Sequence, residues 1–383
     1  MALLLFWITV LILLYIYLGY PFILYLLAKF RTKPVKRGIH YLPTVSIVIS
    51  AFNEEAVIED KIRNTLSMEY PQNKLDVWVV SDASTDKTDQ LVEAYQGSNV
   101  HLFRLSQRSG KTFGITSVME KITSEIVVFS DANSIYDPKA LKELVKCFAD
   151  PQVGYVVGHA RYYEDQINSA ANQEDLYWSF EIKMKINESK IGSVVGGDGA
   201  IYAIRRNLFK PLAPDDINDF VNPIQIVLQG FRGIFNPNAI CYEEAAPSFL
   251  KEYWRKRRIV NRSWRGLWKN AQVLNPFKTG IFAWEIFSHK LLRWLGGLFI
   301  VILFVTNLKI VQTGEVYRLS MFGQLLFHLL AVIGFFLDRA GKKSGFLINI
   351  VYYFDMVNLA SLQGIWDAFR GRTYTTWKTI RQE

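Results

Sequence analysis

Residues 75–96 read LDVWVVSDASTDKTDQLVEAYQ. An apolar run stops on Asp82, turn-forming polar residues follow, and a helical pattern takes over. That is a strand which delivers a carboxylate to its own end and leaves by a helix. The same order stands on either side. Upstream, TVSIVISA gives way to NEEAVIEDKIRNTLSM; downstream come VHLFRL and SGKTFGITSVMEKI, IVVFSD ending on Asp131 and DPKALKELVKCFA, and then VGYVVGHARY. Short apolar runs separated by helical patterns of about 10 to 15 residues predict βαβ units and a parallel sheet. The fold class is therefore α/β, with a Rossmann-like, mostly parallel sheet. Such sheets bind ligands at the carboxyl ends of their strands, where Asp82 and Asp131 stand; Asp219, in DDINDF, is a third acid of interest. The first strand exits as AFNEEA, with neither G-x-G-x-x-G nor a P-loop, which argues against a dinucleotide-dependent dehydrogenase.

Residues 2–28 carry no charge. They outrun the apolar core of a signal peptide and have no small-residue cleavage site behind them, so they read as a retained transmembrane helix over 1–30. The basic cluster KFRTKPVKR that follows places the globular part in the cytosol by the positive-inside rule. The expected setting is the cell (inner or plasma) membrane, multi-pass, with a cytoplasmic catalytic domain over 40–250. Three more apolar stretches lie at about 291–311, 318–337 and 346–366, the last softened by Asp355 and Asn358. Four spans would leave the tail (367–383) outside, whereas Arg370, Arg372 and Lys378 favour the inside. The count stays open at three or four, with one stretch interfacial or re-entrant.

The net charge of +9 is concentrated in KEYWRKRRIVNRSWRGLWK, residues 251–269, where eight basic residues alternate with four aromatics. Basic and aromatic side chains together suit a lipid interface, so 251–290 reads as amphipathic interface helices leading into 291–366. Nucleic acid is the rival partner, but nothing else resembles a helix-turn-helix, zinc finger or RNA-binding module. Cys147 and Cys241 offer neither a disulfide framework nor metal-ligand spacing, which fits packing in a reducing cytosol. Between 165 and 190 the pattern is polar and helical. The glycine-rich IGSVVGGDGAIYAIRR comes next, and 211–248 reads as a loop, a helix ending at Gly230 and a short strand.

PTVSIVISAFNEE, SDASTD, FSDANS, GGDGAIYAIRR and NDFVNPIQIVLQGFR, in register over about residues 40–270, together resemble the family 2 inverting glycosyltransferases of GT-A fold. The resemblance is to the membrane-bound branch that includes hyaluronan, chitin and cellulose synthases. It implies a nucleotide-diphosphate sugar as donor, a UDP-sugar by the habit of that branch, and a saccharide or lipid-linked acceptor. Asp82 and Glu54 would then lie beside the nucleotide, although either has helix capping as an alternative; Asp86 reads as a cap. Asp131 and Asn133 form D-A-N where the family has D-x-D. A hard divalent cation, Mg²⁺ or Mn²⁺, takes one or two carboxylates plus substrate phosphates, and Asn133 offers it only a carbonyl oxygen. Lys111, at a helix start, is either a phosphate ligand or a solvated lysine.

Gly197 and Asp198 occupy the acceptor position of the family, and Asp198 either binds acceptor hydroxyls or fixes its loop. Asp219 follows Asn218 where the family has a Glu-Asp pair, and the resemblance makes it the general base that takes the acceptor's proton. Asp215 and Asp216 are close enough to blur that assignment, and all three acids also suit a solvated loop. The Gln-x-x-Arg-Trp of the processive synthases is missing. Its nearest counterparts, Arg258, Arg262 and Trp264, are expected to stabilise the departing diphosphate, or only to touch the membrane surface. That departure, with few spans, favours a lipid-linked acceptor or a short chain. The rivals are an inactive nucleotide-sugar-binding partner of a synthase complex and a membrane nucleotidyltransferase.

Overall fold

A computed structural model describes residues 1–163, 169–244 and 248–376, with side chains from Phe180 onward in the helix Ser169–Ile191. The strands are β1 Val45–Ala51, β2 Leu75–Ser81, β3 Val100–Arg104, β4 Ile126–Asp131, β5 Ile135–Tyr136, β6 Val153–Tyr162, β7 Tyr202–Arg205 and β8 Arg232–Glu243. They form one sheet in the order β3-β2-β1-β4-β7-β6-β8-β5. β1 pairs in parallel with both β2 and β4, so the winding reverses beside it. The register sets Ala51 opposite Ser81 and Ser50 opposite Asp131, which brings the carboxyl ends of the three strands level at the switch point.

All seven residues of β1 are buried, as an apolar strand covered on both faces requires. One face packs Ile58 and Ile62 of the helix Ile58–Leu66 and Leu141 and Leu144 of the helix Ala140–Val145. The other packs the helices Lys111–Val118, Asn218–Leu228 and Phe249–Lys269. The expected alternation is present, with two differences. The glycine-rich segment contributes β7, which runs antiparallel between β4 and β6. The short strand expected after Gly230 is the twelve-residue β8, long because it pairs with β6 for most of its length and with β5 at its end. Both cysteines are free and buried.

Among the described residues, three helices are long and apolar enough to cross a membrane: Ala2–Phe30, Gly296–Thr313 and Glu315–Arg339. The remaining apolar stretch forms the helix Phe346–Phe369, which lies along the basic helix Phe249–Lys269 instead. A methyl on Gly364 would come within 2.6 Å of the Arg257 carbonyl oxygen, and Asn261 Nδ2 donates to the Gly364 oxygen at 3.1 Å. Arg257 binds Asp367 at 2.7 Å. Beyond this helix the chain returns to the catalytic domain: Asn261 Nδ2 donates to the Arg372 carbonyl, and Tyr374 donates to Asp367. Thr375 lays its carbonyl against Gly110, whose φ of +93° and close approach both exclude a side chain. The interfacial alternative for the last stretch thus fits this packing, with Arg370 and Arg372 on the catalytic side; Lys378 lies outside the described residues.

Candidate active site

The exits of β1 and β2 are laced together before any ligand is involved. Asn53, at φ +53°, donates its backbone N–H to Ser84 Oγ at 3.1 Å and accepts from Thr85 N–H at 2.8 Å. Glu54 is buried beside them, its N–H donating to Thr88 Oγ1. Asp86 accepts from Thr88 N–H at the head of the next helix, which is the expected cap. Asp82 is buried and accepts from the N–H groups of Ser109, at 2.6 Å, and Gly110, at 3.0 Å. It therefore fixes the loop that launches the helix beginning at Lys111.

Lys111 reaches across to form an ion pair with Asp131, and its Nζ lies 3.4 Å from the Gly199 carbonyl. A methyl built on Gly199 would sit 3.4 Å from Lys111 Nζ, 3.5 Å from Asp219 Oδ2 and 3.6 Å from Asp131 Oδ2. Three expected residues from three elements thus face one point, and a side chain at 199 would fill it. Gly197 N–H donates to the Asp219 carbonyl at 2.5 Å, tying the glycine loop to the helix Asn218–Leu228. Asp198 accepts from Ala200 N–H and lies 3.9 Å from Lys185.

Asp219 Oδ1 is buried without a hydrogen-bond partner. Burial raises its pKa, with Asp198 and Asp131 pushing the same way and Lys111 and Arg262 opposing. Asn218, in place of the family's glutamate, donates to Tyr202 Oη at 2.8 Å, as does Asn222 at 3.0 Å. Asp215 and Asp216 are held elsewhere. Asp215 binds Arg265 at 2.7 Å and Lys269 at 2.8 Å, and Asp216 binds Lys269 at 2.9 Å. The ambiguity among the three acids resolves in geometry: only Asp219 looks into the crevice.

The three residues offered for the diphosphate separate. Arg258 is half-buried and has no hydrogen-bond or ion-pair partner among the described residues; desolvation and Arg255 lower its pKa, while Asp131 and Asp219 hold it up. Arg262 donates to Thr112 Oγ1 at 2.9 Å and to the carbonyl oxygens of Pro214 and Asp216, so it braces the loop ahead of Asp219. Trp264 is buried edge-on against Trp268 and Phe369, in the core.

Sequence reasoning missed Glu243 and Lys61. Glu243, at the end of β8, accepts from Ser134 Oγ at 2.6 Å, and burial together with Asp131 and Asp198 pushes its carboxyl up to about 7. Lys61 is fully buried beneath the turn after β4, donating to the Ser134 carbonyl with its ammonium 3.8 Å from the Tyr136 ring centre; burial lowers it to about 7. The signal for Glu243 was in ICYEE, another apolar strand that stops on acid. Lys61 left none, because a lysine in a helix facing the sheet reads as solvated.

Asp131 and Asp198 each raise the pKa of Asp219 and of Glu243, while Lys111 and Arg262 at the first and Arg255 at the second oppose them. Among the described residues no three of His, Cys, Asp or Glu are grouped to hold a metal ion by themselves. That donor set fits a cation which takes few carboxylates and completes its shell with water and a diphosphate. Asp131 and the Asn133 carbonyl supply the oxygens that would face such a cation.

Residues 46–212 match the family model described as Glycosyl transferase family 2. Over 169 residues the chain is 30% identical to a beta-monoglucosyldiacylglycerol synthase of a Nostoc species, covering 42% of this chain and 34% of the relative. Over 226 residues it is 23% identical to the poly-beta-1,6-N-acetyl-D-glucosamine synthase of Staphylococcus aureus, covering 57% and 54%. The chain thus spans between about a third and about half of those relatives' length. Among solved structures, a mannosyltransferase from Pyrobaculum calidifontis in complex with GDP-Man and Mn²⁺ superposes with a TM-score of 0.69 at 24% identity, over 95% of this chain and 99% of that one. The likeness shows the GT-A fold along almost the whole chain.

Proposed function

We propose that this chain is a membrane-integrated glycosyltransferase that moves a sugar from a nucleotide-diphosphate sugar to a hydroxyl of a lipid-linked acceptor, with inversion, at the cytoplasmic face. The observation that carries the reading is the meeting of Lys111, Asp131 and Asp219 around Gly199, with the half-buried Arg258 guanidinium under the electrostatic influence of both acids.

The exits of β1 and β2, with Glu54 and Asp82, receive the nucleoside, and the bare backbone of Gly197 and Gly199 lets the sugar approach. Lys111 and Arg258 meet the diphosphate as its negative charge grows. Asp219 takes the proton of the acceptor hydroxyl while that oxygen bonds to the anomeric carbon and the bond to the diphosphate oxygen breaks. A base works best with a pKa near the working pH, and burial moves Asp219 in that direction. A single displacement inverts the anomeric centre, so an α-linked donor gives a β-linked product. A divalent cation held by Asp131 and Asn133 would supply further charge to the diphosphate, as the Mn²⁺ bound by the mannosyltransferase supports.

A lipid-linked acceptor is favoured because the helix that carries Arg258 is packed on the last apolar helix, beside three candidate spans. The missing Gln-x-x-Arg-Trp points the same way, away from a long processive polymer. The test is nucleotide release by the full chain in mild detergent with extracted membrane lipid, across UDP- and GDP-sugars, with Mg²⁺, Mn²⁺ or chelator. Release with one donor, lost in Asp219→Asn while that variant still binds the donor, is expected. Release that persists in Asp219→Asn would overturn the assignment of the base. No release with any donor would leave the chain as a binding partner of another enzyme.

A further inference from the structure

A cleft of about 380 Å³ opens between the three candidate spans and the helix Phe346–Phe369, lined by Leu13, Ile300, Leu303, Gly323, Phe327 and Phe354. Its volume falls in the range of small-molecule sites. Ser320, Gln324 and His328 recur every fourth residue down one face of the helix Glu315–Arg339, so a polar stripe runs along the cleft. Polar side chains at such depth are costly unless they are paired, and these are turned to one another except for Gln324 Oε1, which is buried without a partner. Gln324 Nε2 donates to Ser320 Oγ at 3.1 Å and, with the Asn307 amide oriented to satisfy both sides, to the Asn307 oxygen at 2.8 Å. His328 Nδ1 lies 2.7 Å from Asp355 Oδ2, and Tyr17 donates to Asn358 at 3.3 Å.

What remains for an occupant is carbon. A saccharide, whose hydroxyls need partners, finds few there, whereas a hydrocarbon chain fits. The surrounding helices turn Leu11, Leu298, Val301, Leu319 and Leu326 outward, so in a membrane the mouth of the cleft opens into hydrocarbon. One helix joins the cleft to the active site. From Phe354 to Gly364, which packs on the Arg257 and Asn261 backbone flanking Arg258, is about 15 Å of helix, roughly half the ~30 Å thickness of a bilayer's hydrocarbon and so about the depth of one leaflet.

We propose that this cleft holds one hydrocarbon chain of the acceptor lipid, anchoring the lipid while its hydroxyl head reaches toward Asp219. The inference rests on the lipid-acceptor reading above and names the site that recognises that lipid.

The test is photolabelling of the full chain in phosphatidylglycerol vesicles containing a diacylglycerol with a diazirine near the end of one chain. A methyl on Gly323 meets no atom within 4 Å, so Gly323→Phe enters the cleft without displacing its own helix; Leu303→Trp fills it from the opposite wall. Label is expected on peptides containing Leu303 and Gly323, and is expected to fall about tenfold in either variant, as for a tenfold loss of affinity. Unlabelled diacylglycerol should displace the label and phosphatidylcholine of the same chains should not. Labelling unchanged in both variants overturns the proposal. So does equal displacement by phosphatidylcholine, which would make this a site for bulk lipid, or displacement by a soluble oligosaccharide, which would make it a sugar site. Labelling requires no turnover, so a failure of glycosyl transfer itself would show separately, as absent nucleotide release.

Discussion

Asp219 is a carboxylate whose surroundings set how willingly it takes a proton. Burial and the neighbouring Asp198 and Asp131 raise its pKa, while Lys111 and Arg262 restrain the rise. The group works as a base only when ionised, so turnover should climb with pH through a midpoint above the ordinary Asp value of about 3.9. Removing the Lys111 charge, as in Lys111→Met, should move that midpoint further up in a pH–rate profile and slow turnover ~10²-fold, the scale of losing one well-placed donor to the transition state. The stability effect has the opposite sign to that of a salt-bridged acid. With its folded pKa above the unfolded one, Asp219 costs nothing at low pH and destabilises the fold once the pH passes the unfolded value. Asp219→Asn should therefore melt higher than the native chain at neutral pH while losing ~10²–10⁴-fold in turnover; a lower melting temperature would contradict this account of the site.

At the scale of one element, the basic helix Phe249–Lys269 assigns two arginines, one turn apart, to different tasks. Arg262 holds the carbonyls of the loop ahead of Asp219, and its loss leaves the buried Asp216 oxygen with one fewer donor. Arg262→Ala should cost about 1–3 kcal/mol of stability in thermal or denaturant unfolding, the usual penalty for breaking such a buried interaction. Arg258 has no such bond to lose. Arg258→Ala should leave the melting temperature nearly unchanged, since no hydrogen bond or ion pair is lost with it, and should cut nucleotide release ~10²-fold. Equal loss of stability in both variants would show that Arg258 is structural.

At the scale of the whole molecule, Asp367 is where membrane helices, basic helix and C-terminal segment meet. Burial pushes its pKa up, but hydrogen bonds from Arg257 and Tyr374 and the nearby Arg372 charge outweigh that and hold it below the usual carboxylate value. Its contribution is therefore present above the unfolded Asp pKa and lost as pH falls through the depressed folded one. Asp367→Asn should loosen the 370–376 segment and speed limited proteolysis there, with the catalytic domain intact. The proposed membrane arrangement, with the three candidate spans crossing, also makes a prediction about sidedness. A cysteine at Thr313 should be labelled by a membrane-impermeant maleimide from the side opposite the catalytic domain, and one at Lys342 from the same side. The native Cys147 and Cys241, both buried, should stay silent. Labelling of both positions from one side would break the three-span arrangement.

Strands that end on acids could be read directly, because a strand's apolar run and the residue that stops it are local. Alternation of short strands with helices fixed the α/β class in the same way and delivered Asp82 and Asp131, whereas Asp219 and the glycine loop were singled out by the family resemblance and Lys111 by its place at a helix start. What the chain order could not contain was exclusion. Asp215 and Asp216 fall away as bases only because Lys269 and Arg265 fold over them. Arg258 and Arg262, on one helix face in sequence, part only when the 214–216 loop claims the second. Glu243 joins Asp131 through a sheet edge that pairs β8 with β5, a contact between residues far apart in the chain. The stretch 346–366 packs one face on the basic helix while Leu347, Leu359 and Trp366 stay exposed, and hydropathy cannot tell a face turned to lipid from one turned to another helix. Local pattern depends on neighbours in sequence; partner, burial and charge environment depend on neighbours in space, and those were decided by the tertiary structure alone.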